Sequence, residues 1–126
     1  MKYRTLGRTG FDVSILSYGG SSLGSVFREI DEQEGIDTVH NAFNSGINYF
    51  DCSPFYGLTE AERIMGQALK DIPRDRYFLS AKAGRYGWDE FDFSSDRIIR
   101  SAEESMKRLH VDYLDILNLH DIEYND

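Results

Sequence analysis

Four short apolar segments, Leu16–Gly19, Tyr49–Asp51, Phe78–Ala81 and Tyr113–Leu119, alternate along this chain with single amphipathic helical patterns. That alternation predicts parallel βαβ units, because two parallel strands need a crossover long enough to hold a helix. The first helix follows Asp31, which forms a capping box with Glu34, and repeats Ile36, Val39, His40 and Phe43 on one face until Gly46 ends it. The second follows Thr59, boxed with Glu62, with Ala61, Ile64, Met65 and Ala68 on its face and Pro73 beyond its end. The third begins near Ser94 or Ser95 and repeats Ile98, Ala102, Met106 and Leu109. Ahead of the repeat, Tyr3–Leu6 and Asp12–Ile15 flank Gly7-Arg8-Thr9-Gly10, which predicts a β-hairpin.

Two parallel architectures fit such a repeat, the closed barrel and the doubly wound open sheet. A dinucleotide-binding open sheet needs G-x-G-x-x-G after its first strand, and the Gly19-Gly20-Ser21-Ser22-Leu23-Gly24 found there has the wrong spacing. Polar groups at the ends of three consecutive strands favour the barrel. The expected fold is therefore α/β, the amino-terminal half of a (β/α)8 TIM barrel with a leading hairpin and parallel strands one to four. It forms one partial domain over residues 1–126. A whole barrel takes about 250 residues.

The chain is 40% hydrophobic, enough to demand a core, and its formal net charge of −8 argues against nucleic acid or anionic membrane as partners. Neither a signal-like start nor a run of about eighteen apolar residues occurs, so a soluble cytoplasmic protein is expected. Cys52 is the single cysteine, which excludes an intrachain disulfide and a Cys-based metal cluster.

Asp51 closes the second strand and Lys82 follows the third, where a barrel strand delivers its last side chain to the mouth. If both point inward they pair, and the ammonium would lower the pKa of a nearby phenol. Tyr56 is that candidate phenol. It could give a proton to a carbonyl oxygen as hydride reaches carbon, or take one from an alcohol, while His120 at the end of the fourth strand holds the oxygen. Each residue also has a plainer reading as a solvated strand end, a packed aromatic or a structural histidine. Trp88, Phe91, Phe93 and Phe55 could wall a substrate pocket or anchor a long loop, with anchoring favoured for Phe93. Asp121 and Glu123 could bind sugar hydroxyls or be merely solvated. Cys52 as a nucleophile, and a metal held by His40, His110 and His120, are poorer readings, His110 fitting better as a complement to a helix dipole.

The run Gly46-Ile47-Asn48-Tyr49-Phe50-Asp51-Cys52-Ser53-Pro54-Phe55-Tyr56-Gly57 with Glu62-Arg63-Ile64-Met65-Gly66 resembles the first signature of the aldo-keto reductase superfamily. Arg108-Leu109-His110-Val111-Asp112-Tyr113-Leu114-Asp115-Ile116 looks like its second, and Tyr3-Arg4-Thr5-Leu6-Gly7-Arg8-Thr9-Gly10 is similar to its hairpin. The resemblance implies NAD(P)-dependent oxidoreduction with Tyr56 as acid/base, Lys82 and Asp51 tuning it, and His120 orienting substrate. It implies Gly20, Ser21 and Asp51 beside the cofactor, NAD or NADP, and Tyr56 and His120 around the substrate; Trp88, in an added Gly87-Trp88-Asp89-Glu90 segment, is the aromatic candidate to join them. Gly84-Arg85-Tyr86, Phe91-Asp92-Phe93-Ser94 and His120-Asp121-Ile122-Glu123 look most like the L-galactose dehydrogenase branch. That implies a sugar-like alcohol or hemiacetal substrate and a preference for NAD.

Barrels frequently build their phosphate site from loops after strands seven and eight. The 126 residues alone are therefore expected to bind NAD(P) poorly and to self-associate through open strand edges and unpartnered helix faces. Two function classes follow: an oxidoreductase active as a full barrel, and a non-catalytic interaction or regulatory half-barrel.

Overall fold

An antiparallel hairpin, β1 (Tyr3–Thr5) with β2 (Asp12–Ser14), leads the chain, Arg4 lying opposite Val13. The computed structural model describes residues 1–124; Asn125 and Asp126, the end of the expected domain, lie outside the described residues. Asn48 ties the hairpin to the main sheet: its Oδ1 accepts from the Ser14 N–H at 2.7 Å and its Nδ2 donates to the Asp12 carbonyl at 3.0 Å. Phe11 stacks on Phe78 at 4.7 Å between centroids. The hairpin thus covers the end of the sheet where its strands begin.

The main sheet holds β3 (Tyr18–Gly19), β4 (Tyr49–Asp51), β5 (Phe78–Ala83) and β6 (Ile116–Leu119) in sequential order, all parallel. Between them run α1 (Glu32–Asn44), α2 (Glu60–Leu69) and α3 (Ser95–Leu109). A sequential order has no switch point, unlike a doubly wound sheet. Pairing sets Phe50 beside Leu79 and Asp51 beside Ser80, so successive residues face opposite sides. Phe50, Leu79 and Ala81 join Val39, Ile64, Met65, Ala68 and Leu109 in one buried cluster, which puts the helices on one face. Asp51, Ser80, Lys82 and Asn118 occupy the other.

The structure corrects several boundaries. The first parallel strand begins at Tyr18 and not at Leu16, whose carbonyl is taken by Ser14 Oγ at 2.6 Å. The third runs to Ala83, because β6 pairs that far, and so Lys82 lies inside it. The fourth begins at Ile116 and not at Tyr113. Arg74 holds the Tyr113 carbonyl at 3.0 Å, and Asp115 uses its side chain, not its backbone, to accept the Leu79 N–H at 2.8 Å.

Helix caps differ too. Asp31 accepts from the Gln33 and Glu34 N–H groups as expected, but Glu34 pairs with Arg28 and does not reach back. Thr59 makes no side-chain cap at all: its φ is +79° and its N–H donates to the Pro54 carbonyl at 2.8 Å. Its supposed box partner Glu62 is fully buried and bonds Arg108 Nε at 2.6 Å. The buried line of α3 is Ser101, Ser105 and Leu109, with Ile98, Ala102 and Met106 only half-buried beside it. Close approach explains the shift, since a Cβ on Gly66 would lie 2.9 Å from Leu109 Cα. Small serines let α3 settle against α2. No helix among the described residues is long and apolar enough to cross a membrane.

Glu62 Oε1 has no hydrogen-bond partner among the described residues, and burial pushes its carboxyl above the ordinary range despite Arg108. A buried pair stripped of one member leaves an uncompensated charge. Arg108→Met should therefore cost about 3 kcal/mol at neutral pH. The loss should shrink in acid, where a proton neutralises Glu62. Urea melts at both conditions check this, and an equal loss at both would refute it.

Candidate active site

Register and alternation deliver the first two site groups. Asp51 ends β4, and Lys82, two residues beyond Asp51's strand partner Ser80, projects on the same face of β5. Their side chains form an ion pair, and Lys82 Nζ also donates to the Cys52 carbonyl at 3.4 Å. Burial works against the Lys82 charge, but the Asp51 carboxylate outweighs it with help from Tyr56, and the ammonium is held above its ordinary pKa. Lys82 is therefore cationic throughout the neutral range.

Tyr56 comes from the loop between β4 and α2, whose backbone folds back on itself. Its N–H donates to the Ser53 carbonyl at 3.1 Å and its carbonyl accepts from Ala61 at 3.2 Å. Gly57, Leu58 and Thr59 follow in succession at φ +60°, +50° and +79°. Two of those three residues carry a Cβ, so the turn is strained. Gly24 seats it: a Cβ there would lie 2.6 Å from the Tyr56 carbonyl. The Tyr56 ring stands 5.0 Å from Lys82 Nζ.

His120 follows β6, and its N–H donates to the Ala83 carbonyl at 2.8 Å. Its Nδ1 lies 3.0 Å from Ser53 Oγ, and its ring meets that of Tyr56 edge-on at 5.6 Å. Burial, assisted by Lys82 and Arg85 and opposed by Asp121, lowers its pKa. At neutral pH it is an uncharged imidazole. All four sequence-predicted groups, Asp51, Tyr56, Lys82 and His120, thus meet at the end of the sheet opposite the hairpin. A phenol flanked by an ammonium and a neutral imidazole can exchange a proton with a bound oxygen.

Gly20 and Ser21, expected beside a cofactor, lie in a 3-10 turn over Gly20–Gly24. Gly20 is buried, and a Cβ there would meet Met65 Cε at 2.8 Å and Cys52 Sγ at 3.0 Å, so it serves packing. Ser21 is half-buried. Gly19, the strand partner of Asp51, is exposed, with nothing within 4 Å of where its Cβ would be. That opening suits the edge of a flat ring beside Asp51.

A cleft of about 390 Å³ opens beside Tyr56, walled by Val26, Phe55, Leu58 and Trp88. Trp88 is 76% exposed and packs edge-on against Phe55 at 5.6 Å, which places it as a wall. Phe93 anchors its loop instead, its ring filling the space a Cβ on Gly84 would need. Phe91 stacks on Tyr124 at 5.0 Å. Arg85, to which the sequence assigned no function, holds this loop together. It donates to Asp121 at 2.5 Å and to the Trp88 carbonyl at 3.3 Å, and lies 3.9 Å over the Phe55 ring. Asp121 is thereby held in an ion pair and is not merely solvated; Glu123 is exposed.

Cys52 is fully buried, and burial pushes its thiol far up, so it is no nucleophile. The three histidines are not brought together: His40 donates to the Ala68 carbonyl at 2.8 Å and His110 ends α3 at φ +56°. Sequence reasoning also passed over Ser53, whose hydroxyl touches His120. A serine between Cys52 and Pro54 carries no periodic signal. Gly24 and Gly57 were findable, since paired glycines mark close backbone approach.

Residues 15–126 match the Aldo/keto reductase family. The chain is similar to L-galactose dehydrogenase of Arabidopsis thaliana, 47% identical over 98% of this chain and 39% of that protein. It is also similar to D-arabinose 1-dehydrogenase of Saccharomyces cerevisiae, 42% identical over 89% of this chain and 34% of that protein. Among solved structures, the holo form of an aldo-keto reductase from Bacillus halodurans superposes with a TM-score of 0.83 at 30% identity, covering 99% of this chain and 42% of that one. The described fold is thus the amino-terminal half of a (β/α)8 barrel, and the chain spans well under half the length of these three proteins.

The lowered His120 pKa has a consequence for stability. An unfolded histidine takes its proton near pH 6.5 (about that value in model peptides), while the folded one stays neutral to lower pH. Between those values the unfolded chain binds more protons, so stability falls as pH drops through the window. Thermal melts should show wild type losing more than His120→Gln on acidification from neutrality. Parallel losses in the two proteins would refute the shift.

Proposed function

Because the chain belongs to the aldo/keto reductase family, we propose that its site serves NAD(P)-dependent oxidation of a sugar-like alcohol or hemiacetal, or the reverse reduction of a carbonyl. The observation that carries this is the meeting of Tyr56, Lys82, Asp51 and His120 at one sheet end, beside an aromatic cleft. The nicotinamide, when bound, supplies hydride exchange with the substrate carbon. Gly19, Ser21 and Asp51 would lie along its edge. Tyr56 as phenolate takes the hydroxyl proton as the carbonyl forms, and in the reverse direction as phenol gives its proton to the carbonyl oxygen and becomes phenolate. Lys82, kept cationic by Asp51, stabilises the phenolate that results. His120 donates to the same oxygen and fixes its position. The names of two relatives, an L-galactose and a D-arabinose dehydrogenase, support a sugar-like substrate.

In the full-length protein, Tyr56→Phe should lower kcat at least about 100-fold, the usual worth of general acid–base catalysis, with cofactor affinity near normal. Stopped-flow hydride transfer and cofactor titration check it. Retained turnover would remove Tyr56 from the acid/base role.

The 126 residues by themselves supply four parallel strands, and barrels of this kind frequently hold cofactor phosphates through loops after strands seven and eight. We infer that alone they bind NAD(P) poorly and self-associate. The second reading, a non-catalytic interaction half-barrel, draws on the same surface: Leu117 and Leu119 on β6 are 40% and 46% exposed on the helix-facing side. Sedimentation of the isolated 126 residues should show oligomers. A monodisperse monomer that melts cooperatively would overturn the association.

A further inference from the structure

We propose that Ser53 is a positioning residue that holds His120 in the tautomer bearing its proton on Nε2. Ser53 is fully buried, and its hydroxyl has two neighbours among the described residues. It accepts the Phe55 N–H at 3.1 Å and lies 3.0 Å from His120 Nδ1. A hydroxyl has one proton to give and two lone pairs to fill. The Phe55 N–H can only donate, so the Ser53 proton has one acceptor within reach, the Nδ1 lone pair. Were Nδ1 protonated, two donors would converge on the serine oxygen and its own proton would be buried without a partner, which is costly. Ser53 therefore donates to Nδ1, and the ring proton of the neutral imidazole sits on Nε2.

Among the described residues no acceptor takes that proton. Asp121 Oδ2 is 3.9 Å from Nε2, beyond hydrogen-bond reach, and is held instead by Arg85 at 2.5 Å. Phe55 and Tyr56 meet the imidazole edge-on at 5.9 and 5.6 Å and fix its plane. Nε2–H is then a preset donor for a substrate oxygen, whereas the other tautomer would aim a lone pair at it. This catalytic consequence rests on the oxidoreductase reading; the tautomer does not.

Imidazole nitrogen NMR of the full-length protein, selectively labelled at histidine and assigned through the signal lost in His120→Gln, reads the tautomer directly. Expected is an unprotonated Nδ1 and a protonated Nε2 in wild type, a shift toward mixed tautomers in Ser53→Ala, and the wild-type pattern in Ser53→Thr. A protonated Nδ1 in wild type, which needs no variant to observe, would overturn the proposal, as would an unchanged Ser53→Ala spectrum. Turnover should follow: kcat about tenfold lower in Ser53→Ala with KM little changed, restored in Ser53→Thr, since one neutral hydrogen bond is at stake. A changed tautomer with unchanged kcat would overturn the catalytic consequence. The expected tautomers with no turnover in any protein would support Ser53's positioning role and count against the oxidoreductase reading alone.

Discussion

Parallel pairing of Asp51 with Ser80 decides which side chains this sheet sends toward the helices and which toward its open face. Strand alternation does the rest. Phe50, Leu79 and Ala81 go to the buried cluster, while Asp51, Ser80 and Lys82 are left on the opposite side. A slip of one residue would exchange the sets, placing an ammonium among the helices and a phenylalanine at the mouth. The core and the candidate site are therefore specified by one register. Where the strands begin, Asn48 ties β4 to the hairpin and Asp115 ties the start of β6 to β5 through the Leu79 N–H.

The helix layer depends on small residues where two backbones approach. Gly35 lets α1 close on α2, since a Cβ there would lie 2.9 Å from Ile64. Gly66, with Ser101 and Ser105, does the same between α2 and α3. Into that tight contact the chain puts an ion pair, Glu62 with Arg108, whose worth to stability is doubtful on physical grounds because both charges lose water. Its geometry nevertheless fixes how α3 lies on α2, and with it where β6 and His120 begin.

Much of this was legible in the sequence because it repeats. The strand and helix order, the cap at Asp31, the stop at Gly46 and the placing of Asp51, Lys82 and His120 at or near strand ends all follow from periodicity and turn chemistry. What misled was local grammar overridden by tertiary contact. Thr59 and Glu62 have the spacing of a capping box, yet the loop carrying Tyr56 arrives in a left-handed conformation and Arg108 claims the carboxylate. The α3 stripe was drawn through its most apolar residues, whereas the closest helix contact selects the smallest. Arg85 and Ser53 stayed hidden because their partners, Asp121 and His120, lie 36 and 67 residues away.

Those two unforeseen residues complete the logic of the site. Strands can place Asp51 and Lys82, because both leave the sheet on one face, but no strand can orient an imidazole or set its tautomer. Loops must do that, and loops are held by side chains, not by ladders. His120 is fixed from both sides: Ser53 from the loop after β4 holds Nδ1, and Arg85 from the loop after β5 keeps Asp121 away from Nε2. The strands β4 and β5 thus supply the paired Asp51 and Lys82, while the segments after β4 and β6 supply Tyr56 and His120, the two groups proposed to act on substrate.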